Sequence, residues 1–165
     1  MPASNIRKKK RTDPASRVVV EGLKAKQKTL LSSFCRKICR AIPALKKGEI
    51  SFIFISDRAI RRINKNFLSH DCTTDVLSFG YEAGASSKEI QPRGDIYISL
   101  DYAKRLAKAG GYAVEQELAL YALHGALHLA GFDDSGKRKK EKMFAMQRKI
   151  FRKLASRLAP PDHRA

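Results

Sequence analysis

The sequence is short of acidic residues: Asp and Glu number 16 against 34 Lys and Arg, which gives a formal net charge of +18. So large a positive field attracts polyanions and speeds their encounter with the protein. One basic run is usually a solvated helix face, but solubility alone accounts poorly for an imbalance over the whole chain. The charge therefore predicts a polyanionic partner, which is RNA, DNA, a ribosome or an anionic membrane surface.

Long hydrophobic runs are missing as well, because no segment reaches the roughly 18 consecutive apolar residues that a membrane-spanning helix needs. The basic cluster at residues 7–11 is followed by only a short apolar stretch at 17–21, too short for the core of a signal peptide. Nothing in the chain indicates export. We expect a cytoplasmic protein with no membrane partner.

Cysteines are few, and the three present lack the dense spacing of a disulfide framework. Cys35 and Cys39 are four residues apart and would share a helix face, but the sequence offers no further metal ligands near them. We therefore expect Cys35, Cys39 and Cys72 to be buried or partly buried thiols of a reducing compartment, with no chemical role.

The 165 residues suffice for one domain that buries roughly two-thirds of the surface of its unfolded chain. We expect a basic flexible arm at 1–15, a metal-dependent hydrolase domain at 16–159 and a tail at 160–165. The expected fold class is α+β, a single small domain with a mixed sheet of about four strands packed with about five helices. Residue periodicity predicts strands at 17–21, 49–55, 75–79 and 94–99, and helices at 24–42, 57–68, 101–109, 114–129 and 137–158.

The composition of individual elements also predicts their surroundings. Residues 49–55 are mostly β-branched or aromatic, which is typical of a strand buried on both faces. Ile60, Ile63 and Phe67 recur at helical spacing and are expected to face the core. Residues 80–93 are rich in Gly, Ser and charge, and we expect a loop there between two paired strands.

Two histidines on the helix expected at 114–129 form half of a metal site. His124 and His128 are four residues apart, a turn of about 400°, so their rings lie on one side of the helix and can bind one tetrahedral metal. Gly131 can end the helix in a left-handed conformation, after which Asp133 or Asp134 can fold back as a third ligand. Two imidazoles and a carboxylate suit one Zn²⁺ ion with an open fourth position, although other divalent transition metals are possible.

Two neighbouring residues bear on the chemistry of this site. Metalloprotease helices with the same histidine spacing carry Glu directly after the first histidine, but that position here is Gly125, which argues against peptide hydrolysis by that route. Glu117 lies seven residues before His124, about two turns away on the same helix face. Glu117 is therefore a candidate to orient a histidine or to act as a base, and a plain surface or capping carboxylate is an equal alternative.

Three motifs together resemble one known family. Residues 124–134, HGALHLAGFDD, resemble the HGxLHLxGYDH signature of the YbeY endoribonucleases, the bacterial rRNA maturation factors. Residues 74–79, TDVLSF, and 94–99, GDIYIS, resemble that family's PTDVLSF and GDIxIS segments. The resemblance implies a zinc-dependent, single-strand-specific endoribonuclease that acts at the 3′ end of 16S rRNA and in ribosome quality control. The implied partners are rRNA and the ribosome or small-subunit assembly factors.

The chain departs from the family pattern at two positions. The family's third histidine ligand falls on Asp134, and a family arginine that follows an aromatic residue falls on Leu68, after Phe67. Carboxylate is an accepted zinc ligand, but leucine cannot donate to a phosphate, a contribution worth up to several kcal/mol. The alternative function is therefore a non-catalytic RNA-binding or ribosome-binding assembly factor with a structural metal site. A metal hydrolase with another substrate is a third hypothesis.

The expected site residues follow from these patterns. We expect the catalytic set to be His124, His128, Asp134 and Glu117, and the metal ligands to be the first three of these. Basic residues 137–140 and 148–149 of the last helix are expected to hold the RNA backbone. The RNA-binding candidates are Arg61, Arg62, Thr74, Ser78, Arg93, Lys137 and Arg138.

Overall fold

The computed structural model of the protein describes residues 17–81 and 92–155. These residues form four strands and five helices, as the periodicity predicts. In chain order they are β1 Arg17–Glu21, α1 Ala25–Ala41, β2 Glu49–Ile55, α2 Asp57–Leu68, β3 Val76–Gly80, β4 Pro92–Ser99, α3 Leu100–Gly110, α4 Val114–Leu129 and α5 Lys137–Leu154, with a short 3-10 turn at Pro43–Leu45.

The strands form one mixed sheet in the order β1-β2-β4-β3. Strands β1, β2 and β4 run parallel, and β3 pairs antiparallel with β4 at the edge. In the register of the last pair, Ser78 lies opposite Ile96 and Phe79 lies opposite Asp95. Successive residues of a strand point to opposite faces, so Ser78 and Phe79 lie on different sides of the sheet. The α+β fold with a four-stranded mixed sheet is confirmed.

The main core lies between one face of the sheet and the helices α1 and α4. Strand β2 contributes Ile50, Phe52 and Phe54 to this core, while the residues between them are only half-buried. The expectation that β2 is buried on both faces is therefore wrong. Helices α1 and α4 cover one face fully, and α5 packs behind them with Phe151 against Phe34 at 5.6 Å between ring centroids.

The outer face of the sheet is covered only in part, by α2. Phe67 of α2 lies 5.4 Å from Phe79 between ring centroids, yet it is 71% exposed. Ile60 of the same helix is fully buried and Ile63 is half-buried. The prediction that Phe67 faces the core is therefore wrong: α2 lies over the edge strand β3, and nothing in the described part of the chain covers the last turn of the helix.

The cysteines differ in environment. Cys35 and Cys39 are buried in the core, and burial raises the pKa of both thiols, that of Cys39 to about 12. This fits the expectation of inert thiols. Cys72, which follows α2, is exposed, so the expectation of burial is wrong for this residue.

Several predictions fall outside the residues that the structure describes. The arm expected at 1–15 and the tail expected at 160–165 lie there, as does most of the loop expected at 80–93. Helix α5 ends at Leu154 instead of residue 158. Within the described ranges, no helix has the length and apolar character needed to cross a membrane.

Candidate metal centre

Helix α4 can approach the sheet closely because residue 125 has no side chain. A Cβ atom at Gly125 would lie 2.5 Å from Ile96 Cγ2, 2.8 Å from Val76 Cγ2 and 2.9 Å from Ser78 Oγ. The Ser78 hydroxyl donates to the Gly125 carbonyl at 3.0 Å. Position 125 therefore faces the packed sheet, where a glutamate could not reach the histidines to act as a base. Ser78, an RNA-binding candidate from the sequence, is thus engaged with the backbone of α4.

His124, His128 and Asp134 converge at the end of α4. The Nε2 atoms of the two histidines are 3.1 Å apart, and the Asp134 carboxylate lies 3.7 Å from Nε2 of His124 and 3.8 Å from Nε2 of His128. The chain folds back because Gly131 adopts φ +93°, a left-handed conformation that glycine accepts readily. Within the described residues, these three are the set whose ligand atoms all lie within 4.8 Å of one another.

The hydrogen bonds of the two Nδ1 atoms determine which nitrogen of each histidine faces the Asp134 carboxylate. Nδ1 of His128 lies 3.1 Å from the backbone carbonyl of Phe132, and Nδ1 of His124 lies 2.8 Å from Oε1 of Gln147. Both partners are acceptors, so each neutral ring carries its proton on Nδ1 and presents the Nε2 lone pair. Two Nε2 lone pairs and a carboxylate around one point are the donor set of a cation site, and a divalent ion between them would relieve their mutual repulsion. The residues therefore fit a divalent metal ion.

The neighbouring Asp133 is engaged elsewhere. Its carboxylate accepts from the Ser135 amide at 2.8 Å, from the Ser135 hydroxyl at 2.6 Å and from Lys139 Nζ at 2.8 Å. The hydrogen bonds from Lys139 and Ser135 hold the pKa of this carboxyl well below its ordinary value. Asp133 thus closes the turn before α5, and Asp134 is the carboxylate that faces the histidines.

Gln147 is a site residue that reasoning from the sequence missed. It is buried, 2% exposed, on the face of α5 that also carries Met143, Ile150 and Phe151. A glutamine in an otherwise apolar helical stripe was the available signal, because a buried amide needs hydrogen-bond partners. The backbone carbonyl of Phe132 leaves no such signal, since every residue has one.

Glu117 lies in the first turn of α4 but is not a surface residue. It is fully buried and accepts a hydrogen bond from the Tyr112 hydroxyl at 2.5 Å. The surface alternative is therefore wrong. The expected roles of Glu117 in orienting a histidine or acting as a base stay predictions.

The remaining candidates lie apart from the metal centre or engage other residues. Arg61 donates to Asp71 at 2.8 Å, and this contact lowers the pKa of the Asp71 carboxyl. The Thr74 hydroxyl donates to Asp75 at 3.1 Å. Arg93 lies at a register irregularity of β4, because Pro92 and Gly94 pair with the adjacent residues Glu49 and Ile50 of β2. Arg62 and Arg138 are exposed, on α2 and α5 respectively.

Comparison with known proteins shows which proteins this chain resembles. Residues 16–155 match the family profile described as Endoribonuclease YbeY. The chain is 46% identical over 100 residues to the endoribonuclease YbeY of Elusimicrobium minutum, which covers 61% of this chain and 70% of that protein. It is 34% identical over 138 residues to that of Halalkalibacterium halodurans, which covers 78% of this chain and 86% of that protein. The solution structure of TM1509 from Thermotoga maritima matches with a TM-score of 0.53 and 24% identity, over 89% of this chain and 98% of that chain, and shows the same fold.

Proposed function

Because the chain belongs to the endoribonuclease YbeY family, we propose that it is a zinc-dependent, single-strand-specific endoribonuclease. Its proposed substrate is rRNA, cleaved at the 3′ end of 16S rRNA during maturation and in ribosome quality control. Its proposed partners are the ribosome or small-subunit assembly factors, and its proposed compartment is the cytoplasm. The observation that carries the proposal is the convergence of the His124 and His128 Nε2 atoms and the Asp134 carboxylate on one point.

In this proposal His124, His128 and Asp134 hold one Zn²⁺ ion. Neutral imidazole and carboxylate are zinc ligands, and three protein ligands are the usual number in catalytic sites. When held by these residues, zinc would supply the positive charge that polarises a phosphoryl oxygen and lowers the pKa of a water molecule towards neutrality. Gln147 and the Phe132 carbonyl keep both rings in the tautomer that binds metal.

The second candidate is a non-catalytic RNA-binding or ribosome-binding assembly factor with a structural metal. Two observations favour it. Leu68 is 46% exposed at the end of α2 and offers a phosphate no hydrogen bond, and Arg61, a candidate to replace the missing cation, is paired with Asp71. A nuclease built on this chain needs positive charge from elsewhere to stabilise the reacting phosphate.

Cleavage of single-stranded rRNA fragments by zinc-loaded protein tests the proposal. We expect cleavage by the wild type, and we expect its loss after EDTA treatment or in the His124→Ala/His128→Ala variant. His70→Ala is the matched control, because this exposed histidine lies outside the metal centre and should keep activity. Cleavage that persists in EDTA or in the double variant would remove the metal mechanism.

The same assay separates the two candidates. A wild type that binds zinc and RNA but cleaves nothing, together with a Leu68→Arg variant that gains cleavage, would establish the assembly factor. Zinc content is measured on protein purified without added metal. Absence of zinc with both histidines intact would contradict the metal centre itself.

A further inference from the structure

A second concave surface lies beside the metal centre, on α5. It is a cavity of about 320 Å³, hereafter the α5 cavity, lined by Lys137, Lys140, Glu141, Phe144 and Arg148. The ring of Phe144 lies 6.0 Å from the ring of His124 between centroids, tilted by 40°. Phe144 therefore connects the two places, because it lines the α5 cavity and its ring lies beside that of His124, one of the three candidate metal ligands.

The basic residues that line the α5 cavity are not neutralised by carboxylates of the described chain. Lys137, Lys140 and Arg148 form no ion pair or side-chain hydrogen bond with any residue of 17–81 or 92–155. Their neighbour Lys139 differs, since it is paired with Asp133 at 2.8 Å. Three cations face one carboxylate, Glu141, so the cavity carries a net positive charge that is available to an anion.

Phe144 gives the α5 cavity an aromatic surface. Lys140 Nζ lies over this ring, 5.5 Å from its centroid, in a cation–π arrangement. An aromatic face with a lysine over it and an arginine one helical turn further along combines the two components of single-strand binding sites. These components are a ring on which a base stacks and cations that follow the phosphate backbone.

We propose that the α5 cavity binds one nucleotide of a single-stranded RNA beside the phosphodiester at the metal centre. The base stacks on Phe144, and Lys140 moves from the ring to a flanking phosphate, while Arg148 binds the phosphate on the other side. The volume of about 320 Å³ is at the small end for ligand sites, which fits one nucleotide and not a duplex. This inference rests on the proposed function. In it, Lys140 and Arg148 supply the positive charge that Leu68 cannot provide.

The proposed contacts predict how RNA is selected. Every base has a stacking face and every nucleotide has a phosphate, so the α5 cavity reads no sequence. A base in a duplex is already stacked on its neighbours and is not available to Phe144. The cavity therefore favours single strands of any sequence over double-stranded RNA.

Binding of a fluorescein-labelled single-stranded oligoadenylate to zinc-loaded protein, measured by anisotropy over a range of salt, tests the inference. For Lys140→Gln/Arg148→Gln we expect the slope of log affinity against log salt, which is negative, to become less steep by about 1.4, which is about 0.7 for each lost cation. For Phe144→Leu we expect at least about 5-fold weaker binding, the lower end for the loss of one stacked base. Phe144→Tyr keeps the ring and should keep the affinity.

Lys142→Gln/Lys153→Gln is the matched control, because it removes the same charge from exposed positions of α5 outside the cavity. Its salt slope should stay at the wild-type value. An equal loss in this control, or none in Lys140→Gln/Arg148→Gln, would overturn the inference. Zinc content and far-ultraviolet circular dichroism show whether each variant is folded. If Phe144→Leu does not fold, the Lys140→Gln/Arg148→Gln variant decides the outcome, because both of its substitutions are at exposed positions.

The binding assay does not depend on turnover. The proposed endoribonuclease function and the proposed nucleotide site can therefore be contradicted independently of each other. A wild type that shows these dependences but cleaves no RNA overturns the proposed function and leaves the nucleotide site. A wild type that cleaves RNA, with binding indifferent to Lys140, Phe144 and Arg148, overturns the nucleotide site alone.

Discussion

Helices α2 and α5 are both rich in basic residues, but their cations have different partners. On α2, Arg61 and Lys65 both contact Asp71, at 2.8 Å and 3.0 Å. On α5, Lys140 and Arg148 contact no carboxylate within the described residues and line a cavity beside His124. The net charge of the chain indicates the class of partner, whereas the pairing of individual cations indicates which surface is free to bind it.

The aromatic residues differ between the same two regions. Near α2, Phe67 and Phe79 form an exposed pair on the outer face of the sheet, with Tyr97 6.0 Å from Phe79. The polar group beside them is Asp95, which accepts hydrogen bonds from the hydroxyls of Tyr81 and Tyr97 at 2.6 Å and 3.3 Å. A carboxylate at this place repels phosphate. Phe144 on α5 is instead accompanied by Lys140 and Arg148, so an aromatic surface favours RNA only where its neighbours are cationic.

The largest expected effect in this comparison concerns two buried amide side chains, one on α5 and one on α2. Gln147 of α5 accepts from His124, while Asn64 of α2 donates to the Cys72 carbonyl at 3.0 Å. We expect Gln147→Leu to weaken zinc binding about 10- to 100-fold, the usual cost of losing the partner of a ligand histidine. We expect Asn64→Leu to leave zinc affinity unchanged. Gln147→Leu should also lower the free energy of unfolding by about 1–3 kcal/mol, because it leaves buried Nδ1 of His124 without its hydrogen bond. Asn64→Leu should cost less, because the carbonyl that it frees belongs to the exposed Cys72.

Competition with a chromophoric chelator measures the zinc affinity, and urea denaturation of the metal-free protein measures the stability. Gln147→Glu is a further control, since its carboxylate can still accept from Nδ1 of His124. Equal zinc affinity in the Leu variants of both amides would show that Gln147 does not hold the metal-binding tautomer.

The local geometry of the metal centre was predictable from the sequence. The spacing of His124 and His128 and the position of Gly131 determine, through helix periodicity and left-handed φ, where both rings and the returning chain lie. The choice between Asp133 and Asp134 was not predictable in this way. It depends on Ser135 and Lys139 binding Asp133 at the start of α5, and the residue pattern alone leaves both carboxylates able to turn towards the histidines.

Contacts between distant elements account for the other differences. Gln147 reaches His124 from 23 residues away, which requires knowledge of how α5 packs on α4. Phe67 has the spacing of a core residue, but helical periodicity does not reveal that α2 lies on the sparsely covered face of the sheet. The sequence therefore predicts elements and sites within one helix and its turn better than it predicts which helix faces which surface.

Leu68→Arg tests whether the missing cation matters on the α2 side. We expect kcat/KM for a single-stranded rRNA fragment to rise by less than about tenfold, because this exposed position is well solvated and the α5 cavity already supplies positive charge. Leu68→Gln controls for the change in polarity without charge. A gain of about 10²- to 10³-fold, typical of a well-placed donor in a transition state, would instead place the reacting phosphate beside α2.

The smallest expected effect concerns Cys72, which lies beside α2. A maleimide label should react with this exposed thiol, while burial and a raised pKa, about 12 for Cys39, keep Cys35 and Cys39 protonated and unreactive near neutral pH. We expect the label to leave oligoadenylate affinity unchanged, because the proposed nucleotide site lies on α5. The same label on a Lys140→Cys variant should block the α5 cavity. Loss of RNA binding on labelling Cys72 alone would show that the strand crosses the α2 surface after all.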